Sequence, residues 1–232
     1  MSPDSLWSGL QQLATVLVAT NTPNLPALGL TQLWLHVGWG LVLAWLGCIV
    51  AGWWQPHRAT LLTVAALLLA SMWLPDPWSP AYWLGLAFQL PSLVLVLLCT
   101  RLLLRRLRKP PPPWATRRPP EPTRGLVPLA FAGVLLGWML LLDSFALLPL
   151  PWSVYAWGFS PLAVALVAWV SLGLVLSSTQ VGSRPVAWAV PLAVVAFVAL
   201  RLPTGNAWDA VLDPWLWLAL HGYLLRVAVR RY

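Results

Sequence analysis

Charge is what this chain most lacks. Asp, Glu, Lys and Arg together make up 9% of its 232 residues, against roughly 25% in soluble globular domains. So few charges cannot cover a water-facing surface, which excludes a soluble domain. Cysteine is nearly absent too. Cys48 and Cys99 both lie inside apolar runs, so a disulfide framework is excluded and no metal or redox spacing exists. They read as small buried hydrophobes. Met1–Asp4 carry no positive charge, which argues against a secretory signal peptide, and no lipidation motif is recognisable.

What is present is apolar. Hydrophobic residues reach 59% and mean hydropathy is +0.75. Abundant aromatic and branched residues exclude disorder. The class that remains is a polytopic membrane protein. Tryptophan is over-used within it, at 18 copies beside 4 Tyr and 5 Phe.

Seven apolar segments predict an all-α bundle of seven membrane helices: Gly29–Trp53, Ala59–Leu74, Ala81–Leu104, Leu126–Leu148, Pro161–Ser178, Val186–Leu202 and Pro214–Val229. The second, sixth and seventh are short, about 24 Å of helix, and cross only if upright or in a thinned bilayer. Pro161 and Pro214 suit the first position of a helix, where the missing N–H costs nothing. Pro91 and Pro191 predict kinks that free carbonyls for other partners. Ahead of the bundle, Leu6, Leu10, Leu13 and Leu17 predict an amphipathic helix over Ser5–Thr20, lying in the interface rather than crossing.

The basic residues orient the bundle. Eight of the fourteen fall between Arg101 and Arg124, without the aromatic platform or groove-binding helix that nucleic acid requires. They read as a cytoplasmic anchor facing anionic lipid. Alternation from that loop puts thirteen inside, including Arg58, Arg184, Arg226, Arg230 and Arg231, and leaves only Arg201 outside. The N-terminus is then external and the C-terminus cytoplasmic, in a bacterial inner membrane. The chain divides into an external segment 1–28, a three-helix half 29–104, a basic Pro-rich linker 105–125 and a four-helix half 126–232. Pro110–Pro113 predict an extended polyproline-like linker, with a docking role as an alternative.

The outer turns carry a weak repeat. Leu74-Pro-Asp-Pro-Trp-Ser-Pro-Ala-Tyr-Trp83 matches Leu148-Pro-Leu-Pro-Trp-Ser-Val-Tyr-Ala-Trp157 at six of ten positions, and Asp213-Pro214-Trp215 adds a third Pro-Trp turn. Trp78, Trp152 and Trp215 therefore read either as an interfacial belt with proline helix starts or as an external aromatic docking surface.

Polar side chains at membrane depth are functional candidates by default. His36, Gln89, Asp143 and His221 lie about 8–12 Å below the outer ends of their helices, with Arg201 nearer the surface. They form a candidate polar layer. Asp143 and Arg201 are the expected ion pair, either fixing two helices or lining a substrate or proton path. His36 and His221 could ligate a haem axially. No zinc set and no nucleophile–base constellation occurs. Gly133 and Gly137 have the spacing of a close helix contact.

The seven-span, N-out plan is shared with the rhodopsins, but the only lysine, Lys109, lies in a loop, so no retinal Schiff base can form. Trp208-Asp209 near Trp215 and Trp217 is similar to the tryptophan-rich haem-handling proteins of cytochrome c assembly. The fuller motif is missing and the outer loops hold no histidine. Neither family is assigned. The expectation is an integral subunit that anchors or assembles a multi-protein envelope complex, without catalysis or cofactor of its own. Its partners are the bilayer and other membrane or envelope proteins. A small permease using the polar layer is the alternative, then a haem- or quinone-binding anchor.

Overall fold

The computed structural model describes residues 3–19, 24–55, 57–108, 124–177 and 184–230. Among them the fold is all-α, with no strand. In chain order, α1 is Pro3–Val18, α2 Leu28–Trp54, α3 Arg58–Ser71, α4 Pro80–Phe88 and α5 Leu93–Arg108. Most of the Pro-rich basic stretch, 109–123 with Pro110–Pro113, lies outside the described residues. A 3-10 turn at Arg124–Leu126 leads to α6 Val127–Ser144, α7 Val154–Trp157 and α8 Pro161–Ser177. Then come α9 Arg184–Ala187, α10 Ala189–Leu200, α11 Ala207–Val211 and α12 Pro214–Val229.

Among the described residues two helices, α2 and α6, are long and apolar enough to cross a membrane, each with a mean hydropathy of 1.8. Helices α3, α8 and α10 are apolar but shorter. Large apolar side chains face outward, among them Trp169 on α8 at 81% exposure and Val195 on α10 at 67%. The N-terminal helix lies against α8, with Leu13, Val16 and Leu17 exposed.

Proline decides where the third apolar segment stops being a helix. Pro91 has no N–H to give, and its ring disfavours helical backbone at the residue before it. The result is a full break between α4 and α5 rather than the expected kink. Gln89 turns the chain at φ 59°, ψ −133°. Carbonyls freed at the break find indole donors on α2. Trp39 Nε1 donates to the Gln89 carbonyl at 2.9 Å and Trp34 Nε1 to the Pro91 carbonyl at 2.8 Å. Gly38 makes room, since a Cβ there would stand 2.7 Å from the Pro91 ring. Ser92 restarts the helix, its Oγ accepting from the Leu95 N–H at 3.1 Å. Pro191 sits differently, in the first turn of α10 just past a discontinuity at Trp188.

The restarted helix runs through the middle of the molecule. Leu93, Val94, Leu95 and Val96 are consecutive and all buried, so every face of that turn is covered. They share one core with Trp39 and Val42 of α2, Ala193 and Phe197 of α10, and Ala207 and Ala210 of α11. Helices α6 and α12 pair closely. A Cβ on Gly133 would come 2.6 Å from Leu220, and one on Gly137 would overlap the Trp217 indole. Both glycines therefore mark a close helix contact, the role their spacing suggested. Pro161 and Pro214 each open a helix, as expected.

Candidate functional site

The N-terminal end of α2 and the hairpin after α3 line an open cavity of about 420 Å³. Its polar lining is Thr31, Gln32, His36, Asp76, Tyr82 and Gln89, and its walls are Leu35, Leu86 and Leu90. Four of these polar groups have a structural reason to be there. Thr31 and His36 lie on the first turns of α2, where Thr31 Oγ1 donates to the Leu28 carbonyl at 2.7 Å. His36 Nδ1 bonds the Gln32 carbonyl at 2.8 Å, and its ring stacks on Trp73 at 4.8 Å. Asp76 stands on a loop pinned by two bonds: Ser79 Oγ to the Met72 carbonyl at 2.6 Å, and Trp83 Nε1 to the Pro77 carbonyl at 2.8 Å. Gln89 arrives from the strained turn at the helix break. Such backbone costs about 1–3 kcal/mol and persists only where the surroundings over-determine it. Trp39 and the Gly85 carbonyl do so here.

His36 and Gln89 therefore line one cavity, and the other members of the expected layer are engaged elsewhere. Asp143 accepts from Ser153 Oγ at 2.7 Å and from the Tyr155 N–H at 2.9 Å. Arg201 has left-handed backbone at φ 58° as the C-cap of α10, and its guanidinium lies 5.5 Å from the centre of the Phe197 ring. The expected ion pair between them does not form. Asp143 bonds the segment that follows α6 and Arg201 lies over Phe197 of its own helix, because both sit where a helix ends rather than on facing helix surfaces. His221 is held on both nitrogens. Nε2 accepts from Trp138 Nε1 at 3.3 Å, so Nδ1 carries the proton it gives the Trp217 carbonyl at 2.9 Å. Both indoles also pack edge-on against that ring. Axial ligation by His221 would have to break this arrangement. No group of three or more His, Cys, Asp or Glu that could hold a metal occurs among the described residues.

The polar chemistry that the linear pattern did not reveal joins the segments around α7 and α11 into one platform. Asn206, fully buried, donates from Nδ2 to the Tyr155 carbonyl at 2.8 Å and accepts at Oδ1 from the Trp208 N–H at 2.9 Å. Trp208 Nε1 donates to the Val154 carbonyl at 2.8 Å, and the Ala207 N–H to the Gly158 carbonyl at 2.9 Å. The Asp209 carboxylate accepts from the Tyr155 hydroxyl at 2.8 Å and from the Thr204 hydroxyl. About fifty residues separate the partners, which is why no local pattern showed the pairing. A trace of it exists: Asn206 and Asp209 have the N-cap and third-position spacing of a capping box.

Burial raises the Asp209 carboxyl above its ordinary value, with the Thr204 and Tyr155 hydroxyl donors pulling the other way. The same burial, reinforced by the Asp209 charge, pushes the Tyr155 phenol up. A raised acid holds its proton to higher pH in the folded state than in the unfolded. Its stabilising contribution is complete below the ordinary value, about 4, and is lost as pH rises through the folded-state value. Melting curves in detergent from mildly acidic to neutral pH should therefore show wild type losing stability relative to Asp209→Asn. A pH-independent difference would count against this assignment.

The Pro-Trp repeat resolves into helix starts. Ser79 and Ser153 occupy matched positions, and each caps a helix: Ser79 Oγ accepts from the Ala81 N–H at 3.2 Å, Ser153 Oγ from the Ala156 N–H at 3.1 Å. The tryptophans differ in surroundings. Trp78 is 78% exposed, Trp152 packs against Trp157, and Trp215 meets Phe88 edge-on at 4.9 Å. No protein-family model, curated protein or solved structure matches the chain. Function has to be argued from these sites alone.

Proposed function

We propose that this chain is an integral subunit of a cell-envelope assembly, crossing the membrane seven times with its N-terminus outside, and that it docks partner proteins on its outer face without catalysing a reaction. The observation that carries this reading is where the polar groups have gone. Asp143 and His221, which could have lined a path through the bundle, instead fix outer loops and one helix pair. Tyr155, Asn206 and Asp209 join two outer loops rigidly. A preorganised surface loses less entropy when a partner binds. That surface carries Phe145 at 68% exposure, Leu147 at 65% and Trp152 at 52%. A permease would instead need polar groups left facing a path.

The apolar helices support the crossings. Helix α6 has only 6% of its most apolar window buried, whereas a soluble-core helix of that hydropathy would be covered by protein. Lipid is the solvent that suits it. The fourteen residues of α3 reach only about 21 Å, which asks for local thinning or flanking residues that reach the interface.

Two measurements test the two halves of the proposal. Single cysteines replacing Trp78 or Trp152 should react with an impermeant reagent from outside, and those replacing Arg108 or Arg230 only after permeabilisation. Photoreactive side chains at 152 and 147 should crosslink one and the same protein in native membranes. A reversed labelling pattern would sink the topology, and a monomer without adducts would sink the docking role.

A further inference from the structure

The outer cavity has a chemical bias that the docking role does not use. Its fixed groups present lone pairs rather than protons. Thr31 has committed its hydroxyl proton to the Leu28 carbonyl, so its oxygen can only accept from a ligand. The Gln32 carbonyl takes the His36 Nδ1 proton, which leaves Nε2 of the neutral ring as an acceptor. Asp76 adds the one carboxylate among the lining residues, and no Lys or Arg lines the space. Gln32 and Gln89 contribute amides and Tyr82 a hydroxyl, each able to accept as well as donate. Leu35, Leu86 and Leu90 supply the apolar part of the lining. A cavity of about 420 Å³ lies within the size range of small-ligand sites.

We propose that this cavity binds the primary ammonium head of an amphiphile, with Asp76 as its counter-ion and the leucine wall against its apolar chain. An ammonium brings three donors and no acceptor, which suits one carboxylate with no cation beside it and a Thr31 oxygen that can only accept. An anion would meet the Asp76 charge with no cation to offset it. A neutral alcohol of equal length would gain the wall but not the charge. The strain at Gln89 serves the same purpose, since the turn that ends α4 there brings the amide to the cavity while Trp39 holds the backbone. The proposal is independent of the docking reading, because the platform of α7 and α11 contributes no lining residue.

The ammonium can belong to a free long-chain amine or to a phospholipid with an ethanolamine head, and the experiment separates these. The full chain, purified in a nonionic maltoside, is titrated with dodecylamine and with dodecanol at neutral pH. Dodecylamine should bind roughly tenfold more tightly than dodecanol. Asp76→Asn should abolish that preference, and Leu86→Trp should abolish binding of both. Both side chains are exposed, so these variants should keep the wild-type melting temperature. Native mass spectrometry after reconstitution with phosphatidylethanolamine then identifies the source. Lipid retained by wild type and lost by Asp76→Asn assigns a phospholipid, and dodecylamine binding without retained lipid assigns a free amine. Equal affinity for amine and alcohol would overturn the proposal. So would unchanged amine binding by Asp76→Asn, even if Leu86→Trp blocked it, because the site would then read the chain and not the charge.

Discussion

Gly158→Ala should dismantle the platform of α7 and α11, lowering stability by about 2–6 kcal/mol. The backbone of Gly158 is ordinary, at φ −59°, so conformational freedom is not what glycine supplies here. Space is. A Cβ at this position would overlap Asn206 Oδ1 and the Trp208 indole. Neither neighbour can give way. Asn206 is fully buried and tied to Tyr155 and Trp208, and Trp208 is 4% exposed and tied to Val154. Overpacking alone typically costs about 1–3 kcal/mol, and displacing Asn206 leaves buried polar atoms unpaired at about 1–3 kcal/mol more. Gly173 is the control. A Cβ there meets nothing within 4 Å, and its helical position means alanine should be neutral or stabilise by about 0.5–1 kcal/mol. Thermal unfolding of the two variants in one detergent makes the comparison. If Gly158→Ala melts with Gly173→Ala, the platform is not the rigid unit described.

Asp213→Ala should be nearly as damaging, at about 3–4 kcal/mol. One carboxylate serves two helices. Oδ1 accepts from the Leu216 N–H at 2.8 Å and caps α12, while Oδ2 accepts from the Ser92 N–H at 2.8 Å, where α5 begins. Both bonds are charge-assisted and both lie at positive helix ends. Removing the side chain leaves two N–H groups without acceptors and separates residues 121 positions apart in the chain. Asp213→Asn keeps one oxygen and should recover roughly half of the loss. Denaturant titration of the three proteins should rank wild type, Asn and Ala in that order. Equal midpoints for Ala and Asn would mean that only one of the two bonds matters.

Asp213 also shows how much a linear reading can reach. Pro214 as a first helical residue is visible in the chain, because proline's missing N–H and fixed φ are properties of one residue. An aspartate before it as N-cap follows the same local rule. The second bond, to Ser92, is invisible, since it depends on α12 coming alongside the break at Pro91. That break was itself half legible. Proline announces freed carbonyls, but the choice of Trp34 and Trp39 as donors belongs to the packing of α2 against α5.

The polar layer fails for the same reason. A helix rise converts sequence position into depth, and His36, Gln89, Asp143 and His221 do have comparable expected depths. Depth says nothing about direction around the helix axis or about how a loop folds back. His36 meets the hairpin after α3, His221 turns between two indoles, and Asp143 reaches into the loop that follows it. Tyr155, Asn206 and Asp209 leave no linear sign of their meeting, because the partners stand about fifty positions apart in the chain.

The chain's poverty in charge and wealth of apolar runs determined, with no help from the fold, that it is helical, and apolar periodicity and proline placed most helix starts. Those are local properties, set by backbone sterics and by each residue's own solvation. Which polar atoms meet was decided only by tertiary structure. A hydrogen bond depends on separations of about 3 Å, and the partners here stand some fifty to over a hundred positions apart in the chain. Only the folding of one helix against another can bring such atoms within reach.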